Sequence, residues 1–277
     1  MVGQTYQKRL FRPVSAFIVL LFLYFGSNAQ KLDVAYVSTP DFVVERMLDM
    51  ANVGPGDYVI DLGCGDGRIN IAAAKRGAYG HGVDIDPERI KEARENAKKA
   101  GVSDKVVFWE ENIYNTDFSR ATVIAMYLFP SINLKLRPSF LENLEPGTRI
   151  VSHDFGMDEW KPDKQIGRME NHAALLWIVP ATVSGTWNWE MAGEQYEMKI
   201  GQKFQEIEIN LLSDESTFNV ENSVLSGKRI SFTASDESGN KKLVFSGQVE
   251  GDKIEGVAQI HDGDNKTVEN RTAVLIK

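Results

Sequence analysis

The chain has 277 residues, with 31 Lys and Arg against 39 Asp and Glu, a formal net charge of -8 and a single cysteine. That length supports one large or two modest domains, and the 43% hydrophobic and 25% charged fractions are those of a globular protein. The acidic balance argues against a broad nucleic-acid-binding surface, because neutralising phosphates needs clustered Lys and Arg. One cysteine excludes an intramolecular disulfide and a cysteine-based metal site, and no metal is expected.

Lys8, Arg9 and Arg12 precede an apolar run over residues 14–25, and no acid occurs before Asp33. The run is about a dozen residues, short of the roughly 20 that cross a bilayer as a helix. Gly26-Ser27-Asn28-Ala29-Gln30 follows, with small residues where a signal peptidase reads. Residues 1–29 are therefore expected to be a secretory signal peptide cut after Ala29, giving an exported or periplasmic chain. An uncleaved anchor is the alternative, and in either case this segment is the one expected membrane contact.

Residues 30–181 read as an α/β domain with a Rossmann-like, mostly parallel sheet. An extended lead-in (31–40) is followed by a helix over 42–51, whose Val43, Val44, Met47, Leu48 and Met50 fit one face. The turn Gly54-Pro55-Gly56-Asp57 delivers a first strand that ends in Asp61, then Gly63, Gly65 and Gly67, then a helix over 69–75. Strand, glycine turn and helix bring backbone N–H groups up to a ligand, and glycine permits both the positive φ and the close approach. The spacing is G-x-G-x-G, not the G-x-G-x-x-G of dinucleotide-binding proteins, and no P-loop Lys-Ser/Thr follows. A second strand, 80–83, ends in Asp84 roughly 20 residues after the turn, placed to take a ribose diol. A nicotinamide or flavin nucleotide site in the same geometry is the alternative at this point. Cys64 reads as a small turn residue. A charged helix (88–100), a third strand (105–109), a fourth (121–127), a helix (132–144) and a fifth strand (148–155) follow, and 164–169 with 173–180 suit an antiparallel pair closing the sheet. Tyr127, His153 and Asp154 fall at the carboxyl ends of strands, the site face of such a sheet.

Residues 182–277 change to short runs with period-two alternation and polar or glycine turns, about eight strands in all, predicting a small antiparallel all-β barrel or sandwich. Trp187, Trp189, Tyr196 and Phe204 are expected to be aromatic core, with a ligand mouth as the alternative. Asp262-Gly263-Asp264-Asn265 lacks EF-hand spacing and reads as a hairpin turn.

The stretch Asp61-Leu62-Gly63-Cys64-Gly65-Asp66-Gly67 with Asp84 resembles class I S-adenosylmethionine-dependent methyltransferases. More narrowly, Tyr36-Val37-Ser38-Thr39-Pro40, Asp61 to Ile69, Tyr127-Leu128-Phe129-Pro130 and the strand ending in Ser152-His153 resemble the protein-lysine N-methyltransferases of the ATP synthase c subunit and the adenine nucleotide translocase, with their bacterial relatives. Trp160-Lys161-Pro162 matches that group's aromatic-x-Pro, while Ser38 stands where a proline is usual. The resemblance covers roughly residues 36–162 and implies S-adenosylmethionine as cofactor. Tyr36 and Thr39 would lie near its methionine end, Asp61, Gly63, Gly65 and Gly67 would hold the methionine portion, and Asp84 the ribose. Ile85, Asn112 and Ile113 would hold the adenine, with Asn112 where an acid is common and Glu111 as the fallback. Tyr127, His153 and Asp154 are the candidates for deprotonating an acceptor, which a protein lysine would require. The Asp/Asn-Pro-Pro-Tyr/Phe signature of base N-methylating enzymes is missing. The alternatives are an exported binding module on a methyltransferase fold and a small-molecule methyltransferase. Export raises the question of how a cytoplasmic cofactor would reach the site.

Overall fold

The computed structural model describes residues 1, 3, 37–214 and 216–276, with residues 168 and 169 in backbone only. Apart from residues 1 and 3, the expected signal peptide and Tyr36 therefore lie outside the described residues. The described residues from 37 to 276 belong to one compact unit.

Its first half is a seven-stranded sheet. In chain order it runs α1 (Asp41–Met50), β1 (Tyr58–Leu62), α2 (Arg68–Lys75), β2 (Tyr79–Asp84), α3 (Pro87–Ala100), β3 (Val106–Glu110), β4 (Val123–Met126), α4 (Pro130–Asn143), β5 (Arg149–His153), β6 (Lys164–Met169) and β7 (His172–Ile178). The strands lie in the order β3-β2-β1-β4-β5-β7-β6. The first five are parallel, and β7 and β6 join antiparallel at one edge. Central parallel strands are covered on both faces, so they read as unbroken apolar runs. Their period-two geometry sorts the side chains. Val59, Val123, Ala125 and Val151 pack with Val43, Val44, Met47 and Leu48 of α1. Ile60, Leu62, Ile124, Met126 and Ile150 pack on the other face with Leu136 and Phe140 of α4. The strand order reverses between β1 and β4, so the ends of β1, β2 and β4 open a crevice at their carboxyl edge.

The second half is a closed antiparallel barrel of eight strands, β8 (Gly185–Met191), β9 (Glu194–Lys203), β10 (Glu206–Ser213), β11 (Thr217–Ser226), β12 (Arg229–Asp236), β13 (Lys241–Glu250), β14 (Lys253–Asp262) and β15 (Asn265–Ile276). Closure removes the edges that an open sheet would expose. Inward positions are filled: Trp187, Trp189 and Tyr196 are buried with Phe232 and Phe245, as the aromatic-core reading expects. Asp262 and Asn265 pair across a tight turn, so that segment is a hairpin.

Phe204 departs from the aromatic-core expectation. It sits at a turn between β9 and β10 with φ 57°, where its ring stacks on Trp160 at 5.8 Å and lies under the Arg137 guanidinium at 5.4 Å. It is one of the barrel's contacts with the first half. Around it, Gln205 Nε2 donates to Lys161 O at 2.7 Å, and Ala181 N donates to Gly227 O at 2.9 Å.

The expectation of a membrane contact through the N-terminal segment is corrected. Among the described residues, no helix is long and apolar enough to cross a membrane. The apolar run at 14–25 lies outside those residues, and at about 1.5 Å per residue a dozen residues span about 18 Å of a roughly 30 Å hydrocarbon core.

Candidate functional site

The glycine turn hangs from the end of β2. Gly63 N and Cys64 N both donate to Val83 O at 2.9 Å, and Gly65 N donates to Asp84 Oδ2 at 2.9 Å. Gly63, Gly65 and Gly67 take φ of 76°, 51° and 80°, in the left-handed region that glycine enters without a Cβ penalty. Gly63 lines a cleft at the carboxyl ends of the strands; Gly65 and Gly67 do not. Gly65 serves as the donor to Asp84. Gly67 precedes α2, and a Cβ there would stand 2.7 Å from Phe108 Cζ and 2.9 Å from Ala93 Cβ, so it is a packing glycine. Gly67→Ala is expected to cost about 3 kcal/mol, a fall in Tm of roughly 5–10 °C. An unchanged melting curve with lost ligand binding would assign Gly67 to the ligand instead. Cys64 is buried against Gly82, where a Cβ would come 2.8 Å from its Sγ. Burial first, then the Asp61 and Asp84 charges, push its thiol up, so it is not a nucleophile.

Three acids meet at this turn. Asp61 is 2% exposed, lines the cleft, and among the described residues its Oδ2 has no hydrogen-bond partner. Burial, then repulsion from Asp84 and Asp66, raise its pKa well above the usual carboxylate range. A buried acceptor facing a cleft without a donor is matched by a cationic ligand group. Asp84 accepts from Gly65 N through Oδ2 and from Asp86 N through Oδ1 at 3.0 Å, leaving one lone-pair direction on each oxygen for a ligand diol. Asp84, Ile85, Asn112 and Ile113 line the cleft; Glu111 does not. Asn112 caps a short helical turn by accepting from Tyr114 N at 3.0 Å, so one lone pair of its amide oxygen is already committed.

The far wall is the lead-in to α1, with Val37, Ser38 and Thr39 on the cleft. Arg68 holds it there: Nη1 donates to Thr39 O at 2.8 Å and Nε to Asp66 Oδ1 at 3.0 Å. Sequence reasoning missed Arg68, Asp66, Asp86, Arg89, Tyr114 and Leu128 as lining residues. The one local signal was that Asp66 and Arg68 flank Gly67 in the turn itself.

The three acceptor-side candidates separate. Tyr127 lines the cleft, while His153 and Asp154 do not. His153 is fully buried behind the wall, with its ring 3.9 Å from that of Tyr127 and Nδ1 3.2 Å from Thr39 Oγ1. Its Nε2 is 2.8 Å from Nδ1 of His172, a residue that sequence reasoning did not single out. Burial, partly offset by Asp154 and reinforced by His172, lowers the His153 pKa to about 4, so the ring is neutral at pH 7. Asp154 takes φ 59°, and its Oδ1 accepts from Ala173 N at 2.6 Å. Burial and the Asp154 charge raise the Tyr127 phenol above its ordinary value, so it too is neutral.

Comparison with known proteins agrees with this geometry. Residues 61–164 match the model of the ANTKMT methyltransferase domain. A protein-lysine N-methyltransferase of Saccharolobus islandicus (strain REY15A) is 43% identical over 152 residues, which is 53% of this chain and 94% of that protein. The adenine nucleotide translocase lysine N-methyltransferase of Mus musculus is 31% identical over 138 residues, 50% of this chain, and the chain spans 60% of its length. A crystal structure described as an RNA methyltransferase from Salinibacter ruber with S-adenosyl-L-homocysteine is 49% identical, with TM-score 0.52, covering 53% of this chain and 96% of that one.

Proposed function

Because the chain belongs to the family of class I S-adenosylmethionine-dependent methyltransferases that includes the archaeal protein-lysine N-methyltransferase, we propose that its methyl acceptor is the ε-amino group of a protein lysine. The similarity over nearly the whole length of that archaeal protein carries the reading of the acceptor.

The residues present fit the cofactor. The unpartnered Oδ2 of Asp61 is placed for the α-ammonium, the free lone pairs of Asp84 for the ribose hydroxyls, and Asn112 with Ile113 for the adenine edge. When bound, the cofactor supplies an electrophilic methyl group on a sulfonium. The chain contributes position and desolvation. Tyr127 is the acceptor-side group in the cleft wall, and its neutral hydroxyl can accept a hydrogen bond from a lysine amine and turn the nitrogen lone pair inward. His153 acts through Tyr127 and Thr39, and Asp154 through His153, as positioning residues.

Calorimetry with S-adenosylmethionine and S-adenosylhomocysteine, followed by transfer of a radiolabelled methyl group to a cell extract, tests the reading. Label recovered as methyllysine after acid hydrolysis is the expected result. The structure described as an RNA methyltransferase gives a second reading, an RNA acceptor. Label that ribonuclease releases and protease does not would replace lysine with RNA.

A further inference from the structure

His153, Asp154 and His172 point three donor atoms at one another behind the Thr39–Tyr127 wall. His153 Nε2 and His172 Nδ1 are 2.8 Å apart, and Asp154 Oδ2 is 3.3 Å from the first and 3.5 Å from the second. A carboxylate that receives a proton from a histidine closes to about 2.7–2.9 Å, and this one closes on neither ring. It is held instead facing both. Asp154 has a left-handed backbone, its Oδ1 accepts from Ala173 N, and its Oδ2 faces the two nitrogens. The two Asp154 edges are those of a tetrahedral coordination shell, while the 2.8 Å between the rings is the length of a hydrogen bond, which a bound ion would replace. A point equidistant from three such atoms lies about 1.9 Å from each, and a small displacement out of their plane reaches the roughly 2.0–2.1 Å of Zn–N and Zn–O bonds.

The surroundings have the second layer that metal ligands need. A ligating histidine is oriented by a hydrogen bond at its other nitrogen, and His153 Nδ1 faces Thr39 Oγ1 at 3.2 Å. With the Nδ1 proton donated to that hydroxyl, the Nε2 lone pair points into the cluster. The second oxygen of Asp154 is likewise bonded, to Ala173 N. We propose that His153, Asp154 and His172 bind one divalent transition-metal ion of the zinc class, with a fourth position left to solvent. Two imidazoles and a carboxylate suit this class and not Ca²⁺ or Mg²⁺, which take oxygen shells. The ion ties the end of β5 to the start of β7 and, through Thr39, to the lead-in that walls the cleft. It stands behind the wall, so its role is to fix the wall. Sequence reasoning expected no metal; the two histidines are separated by the β6 strand, so no local ligand spacing marks the cluster.

The test uses the full chain, stripped with a chelator and titrated with Zn²⁺ by calorimetry, with Co²⁺ absorption as a second probe. The expected result is one ion per chain with Kd at or below about 1 μM. His172, 30% exposed, can be replaced without opening the core. His172→Ala and Asp154→Asn should each weaken Zn²⁺ at least about 100-fold and abolish the Co²⁺ d–d bands, with circular dichroism unchanged. His261→Ala, on β14, should leave affinity unchanged. Absence of stoichiometric binding, or binding that His172→Ala leaves intact, overturns the site. The readout is metal binding, so the outcome does not depend on whether the methyl acceptor is lysine.

Discussion

Asp84→Ala is expected to weaken S-adenosylmethionine and S-adenosylhomocysteine binding more than 100-fold in calorimetry. The carboxylate does two things at once. It accepts from Gly65 N and Asp86 N, which pins the glycine turn to the end of β2, and it keeps a lone pair on each oxygen toward the cleft. Hydrogen bonds to a charged acceptor contribute about 1.5–3 kcal/mol each, and two to a ribose diol amount to roughly two to four orders of magnitude in affinity. Asp84→Asn separates the two jobs. Its amide oxygen can still receive the Gly65 N–H, but the side chain has lost its charge and half its acceptor capacity. An intermediate loss is therefore expected for asparagine, with a melting temperature near that of the parent. If Asp84→Ala retains affinity within about fivefold, the ribose is held elsewhere and this part of the site is wrong.

The parts of this site that the sequence makes legible are those built by neighbours in the chain. Asp61, Gly63 and Asp84 follow from one strand–turn–helix pattern and one strand end, and all three line the cleft. What the sequence could not supply is what the topology brings in from a distance. Arg68 reaches back 29 residues to Thr39 O. His172 meets His153 because β7 runs antiparallel beside β5, a pairing no local pattern announces. Position at a strand end was also too coarse a rule: it placed Tyr127, His153 and Asp154 together at the site, yet only the first of the three lines the cleft, because Thr39 and the Tyr127 ring cover His153. The barrel divides in the same way. Period-two alternation gave its strands and aromatic core, while Phe204, at a turn with positive φ, points to a neighbour that alternation cannot see.

Asp61→Asn should produce two opposite effects, lost binding and a more stable ligand-free protein. In the proposed cofactor complex the buried carboxylate faces the α-ammonium, and removing one partner of a buried charge pair costs about 3–5 kcal/mol, or roughly two to four orders of magnitude in Kd. 5′-Methylthioadenosine, which lacks the amino-acid portion, should bind parent and variant alike; an equal loss for it would mean that the substitution has damaged the cleft as a whole. The pH dependence follows from the raised carboxyl pKa. Below that pKa the free site carries a proton that the ammonium must displace. Affinity therefore rises with pH, and protons are released on binding, until the pH passes the raised value. The asparagine variant should show neither trend over the same range. For folding the sign reverses. A carboxyl whose pKa is higher in the folded chain than in the unfolded one favours folding while protonated, and that contribution is lost as pH rises through the folded value. Above that raised value the ligand-free protein holds a buried charge that no described residue pairs, and Asp61→Asn removes it. Its Tm without ligand should exceed that of the parent at pH 8, with the difference shrinking toward pH 5. A lower Tm at both pH values would show that Asp61 is paired within the protein and is not held for a ligand cation.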